Sequence, residues 1–340
     1  MPRVSVALPV YNGEPFLRRT LDDLRAQTEA DWEAVVCDNA STDATADLLT
    51  EAAREDPRIR VVRNERNLGA LPNANQAIER TTAPYVSLWG HDDRHHPDFL
   101  GALADALDAT PAASLAYPMS TLVGVDDVPF DWDPSCRAFR DADGRFFDYD
   151  RGLEMDLPHD PVGRLGAVLS TGSIDASIHG VFRREALLAG LPMTIHSSDR
   201  HVLATAALRG DFAYLPRPLF GFRIHPGSTC FLDPEAWAER ETGGSGASRS
   251  EWRSLVNYVR RPLTAPIPLA QRASAITAIA SASLKRRGRS VARSPERPSI
   301  DPEWASLWSW LAHPIDSPDE RLPDYTYTEH VAGSYMTAQQ

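Results

Sequence analysis

Lysine is almost missing from this chain of 340 residues. Lys285 is the only one, so arginine carries nearly all the positive charge. Cysteine is scarce too. Cys37, Cys136 and Cys230 are odd in number and widely separated, which excludes a disulfide framework, shows no metal-ligand spacing and suits a reducing compartment. No GxxxxGK[ST] occurs, which excludes a P-loop, and no GxGxxG follows the first apolar run, which argues against a dinucleotide fingerprint. No apolar run is long enough for a bilayer span. The first apolar run, Val4 to Val10, is too short for the core of a secretion signal, so the expected location is the cytoplasm, including the inner face of a membrane. No internal repeat is visible.

Acidic charge is also missing from one long stretch. Between Trp252 and Pro295 there are nine basic residues (Arg253, Arg260, Arg261, Arg272, Lys285, Arg286, Arg287, Arg289, Arg293) and no Asp or Glu. The net charge is −12, so the remainder is strongly acidic and does not suit a nucleic-acid binder. The basic stretch suits contact with a phosphate-rich surface. The alanine-rich helix expected over Leu269–Arg287 suits packing on the body of the protein or on a second copy better than insertion into lipid.

What is present is alternation. Val4–Val10, Ala34–Cys37, Ile59–Val62 and Tyr85–Leu88 read as buried strands. Between them, helical spacing follows Pro15, Ser41-Thr42-Asp43 and Pro72, and another helix runs over Asp98–Asp108. Strand and helix in turn predict a doubly wound, mostly parallel sheet with helices on both faces. Residues 121–160 lose periodicity and read as a long loop. Helices are expected near Pro161–Leu169 and Asp199–Leu208, and strands over Phe212–Leu215 and Leu219–Arg223. Residues 234–250 read as a linker, and an aromatic segment covers Trp304–Leu311.

The chemistry should sit where the strands end. Tyr11-Asn12 follows the first strand, Asp38-Asn39 the second, Asn64 to Asn67 the third and Asp92-Asp93 the fourth. In a parallel sheet those ends share one edge, so four segments converge on one crevice. Adjacent aspartates there suit a hard divalent cation and, through it, phosphate oxygens. Asn67-Leu68-Gly69 suits a tight turn that lets backbone approach a ligand.

Taken together, Val4 to Glu14, Val35 to Asp43, Asn67-Leu68-Gly69 and His91-Asp92-Asp93 resemble, in order and spacing over residues 4–110, the family 2 glycosyltransferases of the GT-A fold; a looser likeness extends to residue 228. The resemblance implies an inverting transfer from a nucleotide-diphosphate sugar, with a UDP- or dTDP-sugar expected, to a hydroxyl acceptor. It implies that Pro9, Tyr11 and Glu14 border the nucleotide, that Asp38 binds its uracil or ribose end, and that Asn67, Gly69 and Asn75 complete the donor site. It further implies that Asp92 holds Mg²⁺ or Mn²⁺ with Asp93 beside it. The family often has Asp-x-Asp-Asp at this place, and Gly90 stands here instead of its first aspartate. Asp199, opening a helix, matches the family's catalytic base, and Arg223 and His225 match a closing segment near the diphosphate. On this reading residues 1–115 form the donor half, 116–232 the acceptor and catalytic half, and 233–340 a linker with a mainly helical extension that contacts a membrane surface or a second copy. Two other readings remain open from the residues: a nucleotidyltransferase on a similar sheet, and a non-catalytic docking protein with a degenerate donor site.

Overall fold

A computed structural model of the chain describes residues 1–133, 138–144, 146–147, 157–170, 175–193, 198–225, 227–228 and 259–290. The alternation of side chains along the first two strands explains its layering. In β1 (Val4–Val10), Val4, Val6, Leu8 and Val10 point to one face of the sheet, and Ala7 points to the other. In β2 (Trp32–Asp38), Ala34 and Val36 join the first face, Val35 and Cys37 the second. Both faces are apolar, so both must be covered. On the first lie α1 (Glu14–Arg25), α2 (Thr45–Glu55) and α4 (Phe99–Ala109), through residues such as Leu17, Leu49 and Leu103. On the second lies α3 (Ala70–Glu79), with Ala74, Ala77 and Ile78 buried. The same face also takes α5 (Pro161–Ser170) and α7 (Ser198–Ala207).

Strands β3 (Ile59–Arg63), β2, β1 and β4 (Tyr85–Leu88) are parallel neighbours, as the alternation predicts. Beyond β4 the sheet departs from expectation. A three-residue strand, β10 (Val181–Arg183), inserts antiparallel between β4 and β6 (Ala113–Val123). It restores direction: β6 runs with β4, and β11 (Asp211–Arg223) runs parallel to β6. The carboxyl end of β11 therefore arrives at the same edge as those of β1 to β4. The two short strands expected over 212–223 are one strand, irregular between Leu215 and Phe220. The edge strand β5 (Arg94–His95) pairs antiparallel with it.

The expected loop over 121–160 holds a small second sheet of β7 (Asp131–Asp133), β8 (Ala138–Arg140) and β9 (Phe146–Phe147). Phe139 and Phe130 pack there on Met119, Leu122 and Ile224. Antiparallel pairs this short carry little sequence signal, because three residues cannot show a period of two.

The C-terminal helix α8 (Leu269–Ser290) packs on α5, and Ala265, Ile267, Ala275 and Ile279 are buried in the same core as Leu165 and Val168. Arg261 ties this segment down. Its Nη1 donates to the carbonyls of Ala189 and Leu191 at 2.6 and 3.1 Å, and its Nη2 to that of Gly190 at 3.0 Å. Those carbonyls follow α6 (Arg184–Leu188), where helix geometry leaves acceptors without partners. Arg272 likewise donates to the carbonyls of Ile267 and Ala265, both at 3.2 Å. Two residues of the basic stretch thus have structural tasks. Among the described residues no helix is long and apolar enough to cross a membrane. The linker over 234–250, the segment Trp304–Leu311, Cys136 and Cys230 lie outside the described residues.

Candidate active site

Loops after β1 and β2 are zipped together by reciprocal helix capping. The amides of Gly13 and Glu14, at the start of α1, donate to Thr45 Oγ1 at 2.8 Å and Asp43 Oδ2 at 3.2 Å. In return, Ala44 at the start of α2 donates to Glu14 Oε2 at 3.2 Å, and Thr42 N to Asn12 Oδ1 at 2.9 Å. Orphan amide groups at both helix starts are satisfied this way. Glu14 is therefore placed as a cap of α2. Tyr11 projects freely, 41% exposed, beside Pro9 and ahead of Asn12 in a left-handed conformation.

At the ends of β2 and β3 the amide side chains form a net. Asn39 Nδ2 donates to Asn67 Oδ1 at 2.8 Å and to the Gly69 carbonyl at 3.1 Å. Asn39 Oδ1 accepts from Asn64 Nδ2 and Leu68 N. This fixes the turn that Asn67 and Gly69 make; Gly69 has φ of 89°, which glycine adopts without a Cβ penalty. Asp38 is buried, with Oδ1 accepting from Ser41 N at 3.0 Å and Oδ2 from Arg63 Nη1 at 2.7 Å. Arg63, 47% exposed in its side chain, is a crevice residue that the sequence reading did not single out. Asn75, on α3, has a different partner. It clasps Met193 with a pair of bonds, donating to its carbonyl at 2.8 Å and accepting from its amide at 2.9 Å.

The acidic loop after β4 is held from below by buried polar residues of α1 and of the turn that ends it. Thr20 Oγ1 donates to the His91 carbonyl at 2.8 Å, Asp23 takes Arg94 in a two-pronged pair at 2.8 and 2.9 Å, and Gln27 Nε2 donates to the His96 carbonyl at 2.9 Å. Positions 20 and 23 share a face of α1, and Gln27 follows just beyond its end. Sequence reading took only the apolar face of α1, and these buried polar residues were the available signal for a second role.

Above these residues, Asp92, Asp93, Arg223 and His225 come together from β4 and β11. His225 Nε2 lies 3.0 Å from Asp92 Oδ2. Arg223 N donates to Asp93 Oδ1 at 3.1 Å, and Arg223 Nε to the Asp92 carbonyl at 2.6 Å. Burial, and then the charge of Asp92, push the Asp93 carboxyl well above the usual carboxylate range. A Cβ on Gly90 would stand 2.4 Å from Asp93 Oδ2 and 2.9 Å from Asp92 Oδ1, so both carboxylates fold into space that only glycine leaves. Asp92 and His225 thus present one carboxylate oxygen and one imidazole nitrogen, a pair of the kind Mn²⁺ accepts, and among the described residues no group of three or more His, Cys, Asp or Glu is placed to hold an ion by itself. Asp199 stands on a different element, exposed in the first turn of α7.

Residues 5–145 match the model of Glycosyl transferase family 2. Over those residues the chain is similar to that family. Its relatives include the putative teichuronic acid biosynthesis glycosyltransferase TuaG of Bacillus subtilis, 33% identical over 132 residues, which are 38% of this chain and 51% of that protein. The uncharacterized protein y4gI of Sinorhizobium fredii is 39% identical over 118 residues, 34% of this chain and 13% of that protein. The match thus spans about half of the first relative and 13% of the second. Among solved structures, S. aureus TarS 1-349 aligns with 92% of this chain and 80% of its own at a TM-score of 0.56 and 16% identity. The same protein in complex with UDP-GlcNAc aligns over the same shares at a TM-score of 0.57 and 17% identity. The likeness of these structures establishes a GT-A type fold for the mixed sheet and its helices.

One histidine beside the acidic loop of the domain has no polar task. His95 is buried, stacked 3.6 Å over Trp89 at 4°, with neither ring nitrogen hydrogen-bonded. Burial holds its imidazole well below the usual histidine range, with the charges of His179 and Arg94 adding to the effect. In the unfolded chain it takes up a proton below about pH 6.5, and in the folded chain it stays neutral. Its presence therefore weakens the fold progressively as pH falls below that value, by up to about 1.4 kcal/mol per pH unit. His95→Phe should gain stability over the wild type between pH 7 and 5.5, measured by denaturant unfolding. Parallel pH dependence of the two proteins would show that His95 is not held neutral.

Proposed function

We propose that this protein transfers a sugar from a nucleotide-diphosphate donor, a UDP- or dTDP-sugar, to a hydroxyl acceptor, with a divalent cation and with inversion at the anomeric carbon. The observation that carries this reading is the meeting of the β1, β2, β3, β4 and β11 ends at one edge of the sheet, with Asp92 and His225 facing each other there.

Each part of the site has a task on this reading. Tyr11 and Pro9 border the base. Asp38 and Arg63 present acceptor and donor groups side by side, as the alternating edge of a uracil or thymine ring requires, and each carboxylate oxygen of Asp38 keeps a second lone pair for it. Asn67 and Gly69 bring the backbone of their turn close to the donor. Asp92 and His225 would hold the cation, which neutralises charge on the departing diphosphate when bound. Asp199 accepts the acceptor's proton as its oxygen bonds to the anomeric carbon and the bond to the diphosphate oxygen breaks. A single carboxylate on the attacking side, with no covalent nucleophile assigned, gives single displacement and therefore inversion.

Product analysis tests this directly. With a panel of nucleotide sugars and Mn²⁺, the protein should release nucleoside diphosphate. Release of pyrophosphate from a nucleotide and a sugar phosphate would identify a nucleotidyltransferase instead. Release of neither across the panel, with no thermal stabilisation by any donor, would favour a docking protein.

A further inference from the structure

Three arginines converge on one aspartate that the site has not yet used. Asp127 sits in the turn after β6, in a left-handed conformation with φ of 67°. Its Oδ2 pairs with Arg19 Nη1 at 2.5 Å, and its Oδ1 with Arg94 Nη1 at 2.7 Å and with Arg223 Nη2. These partners come from α1, from the acidic loop and from the end of β11. Burial pushes its carboxyl upward, but the charges of Arg223 and Arg94 outweigh this and hold it below the usual range, so it is an anion at neutral pH.

The Arg223 side chain is fully buried. Each of its guanidinium nitrogens is engaged: Nη2 by Asp127, Nη1 by the Gly124 carbonyl at 2.5 Å and Nε by the Asp92 carbonyl at 2.6 Å. The guanidinium also lies 4.8 Å over the Phe16 ring, whose other neighbour is the His225 imidazole at 4.8 Å. A side chain so enclosed acts on the site through the groups it holds. It fixes the backbone of Asp92 directly, and it shares Phe16 with His225.

We propose that Asp127 is a positioning residue for cation binding: it orients Arg223, which sets the Asp92 backbone so that the Asp92 carboxylate faces His225. Arg94 gives Asp127 a second hold on the same loop, since Arg94 follows Asp93 in the chain and is itself gripped by Asp23. The inference rests on the reading of Asp92 and His225 as the cation pair. Asp127 is 35 residues from Asp92 in sequence.

Binding of Mn²⁺ alone to the full chain tests it, followed by the electron paramagnetic resonance signal of the free ion. Asp127→Asn should weaken Mn²⁺ binding by roughly ten-fold or more, the usual scale for removing a group that orients a metal ligand. Binding of the nucleoside diphosphate in the presence of EDTA should not change, a split that a general loosening of the fold would not produce. Arg223→Met removes the same tether from its other end and tests the link if Asp127→Asn does not fold. The double variant should bind Mn²⁺ no more weakly than the weaker single variant, because both cut one path. If Asp92→Ala abolishes Mn²⁺ binding while Asp127→Asn and Arg223→Met retain wild-type affinity, the positioning role is wrong and the cation pair stands. If Asp92→Ala itself binds Mn²⁺ like the wild type, the cation pair is wrong.

Discussion

Asp199→Asn should lower sugar transfer by roughly 10²- to 10⁴-fold, the range that a positioned general base contributes. Asparagine keeps the shape and polarity of the side chain and removes its basicity. Donor binding should survive, since Asp199 lies on α7 and the groups proposed to hold the donor lie at the ends of β1 to β4. There is a plainer role for a carboxylate in this position. An acidic side chain in the first turn of a helix is stabilised by the helix dipole by about 0.3–1 kcal/mol. Removing it for that reason alone would lower the melting temperature and leave the rate per folded molecule near the wild-type value. Steady-state rates and thermal unfolding on the same preparations separate the two. Retention of transfer within a few-fold of wild type would remove Asp199 from the mechanism.

A second large effect is expected at the acidic loop. Asp92→Ala should abolish cation-dependent transfer, a loss of at least 10²-fold by analogy with removing a charged group aimed at a developing anion. It should also abolish the extra stabilisation that Mn²⁺ confers on the donor complex, read as the shift in melting temperature with and without EDTA. One secondary effect has a definite sign. Asp93 is pushed upward partly by the charge of Asp92, so removing that charge should bring the Asp93 carboxyl down. Asp93 should not rescue the variant, because its Oδ1 is already taken by the amide of Arg223. A wild-type response to Mn²⁺ in Asp92→Ala would place the cation elsewhere.

Much of the donor half was legible because its signals are local. Val4 to Val10 and Tyr85 to Leu88 are apolar runs of strand length, and Asp38 and Asp92 follow strands directly, so their meeting at one edge is a consequence of parallel order. What escaped is non-local or too short. β10 has three residues and no readable period, yet it sets the direction of β6 and β11 and so delivers Arg223 and His225 to the edge. The partnership of Arg223 with Asp127 spans 96 residues, and no spacing rule connects them. The amide net around Asn39 was half visible: Asn39, Asn67 and Gly69 were each placed at the crevice, but the bonds by which Asn39 fixes the turn were not legible. The pair between Asn75 and Met193, 118 residues apart, was likewise invisible to any spacing rule.

The space under Gly90 has a consequence for how this loop can change. Restoring an aspartate at that position looks like a one-step return to the family's commoner motif. Here the new Cβ would meet the buried Asp93 carboxylate before any added oxygen could reach a cation. Asp93 cannot swing aside without releasing the Arg223 amide. An aspartate at position 90 therefore has to be accompanied by a shift of the Asp93 carboxylate and a new partner for the Arg223 amide.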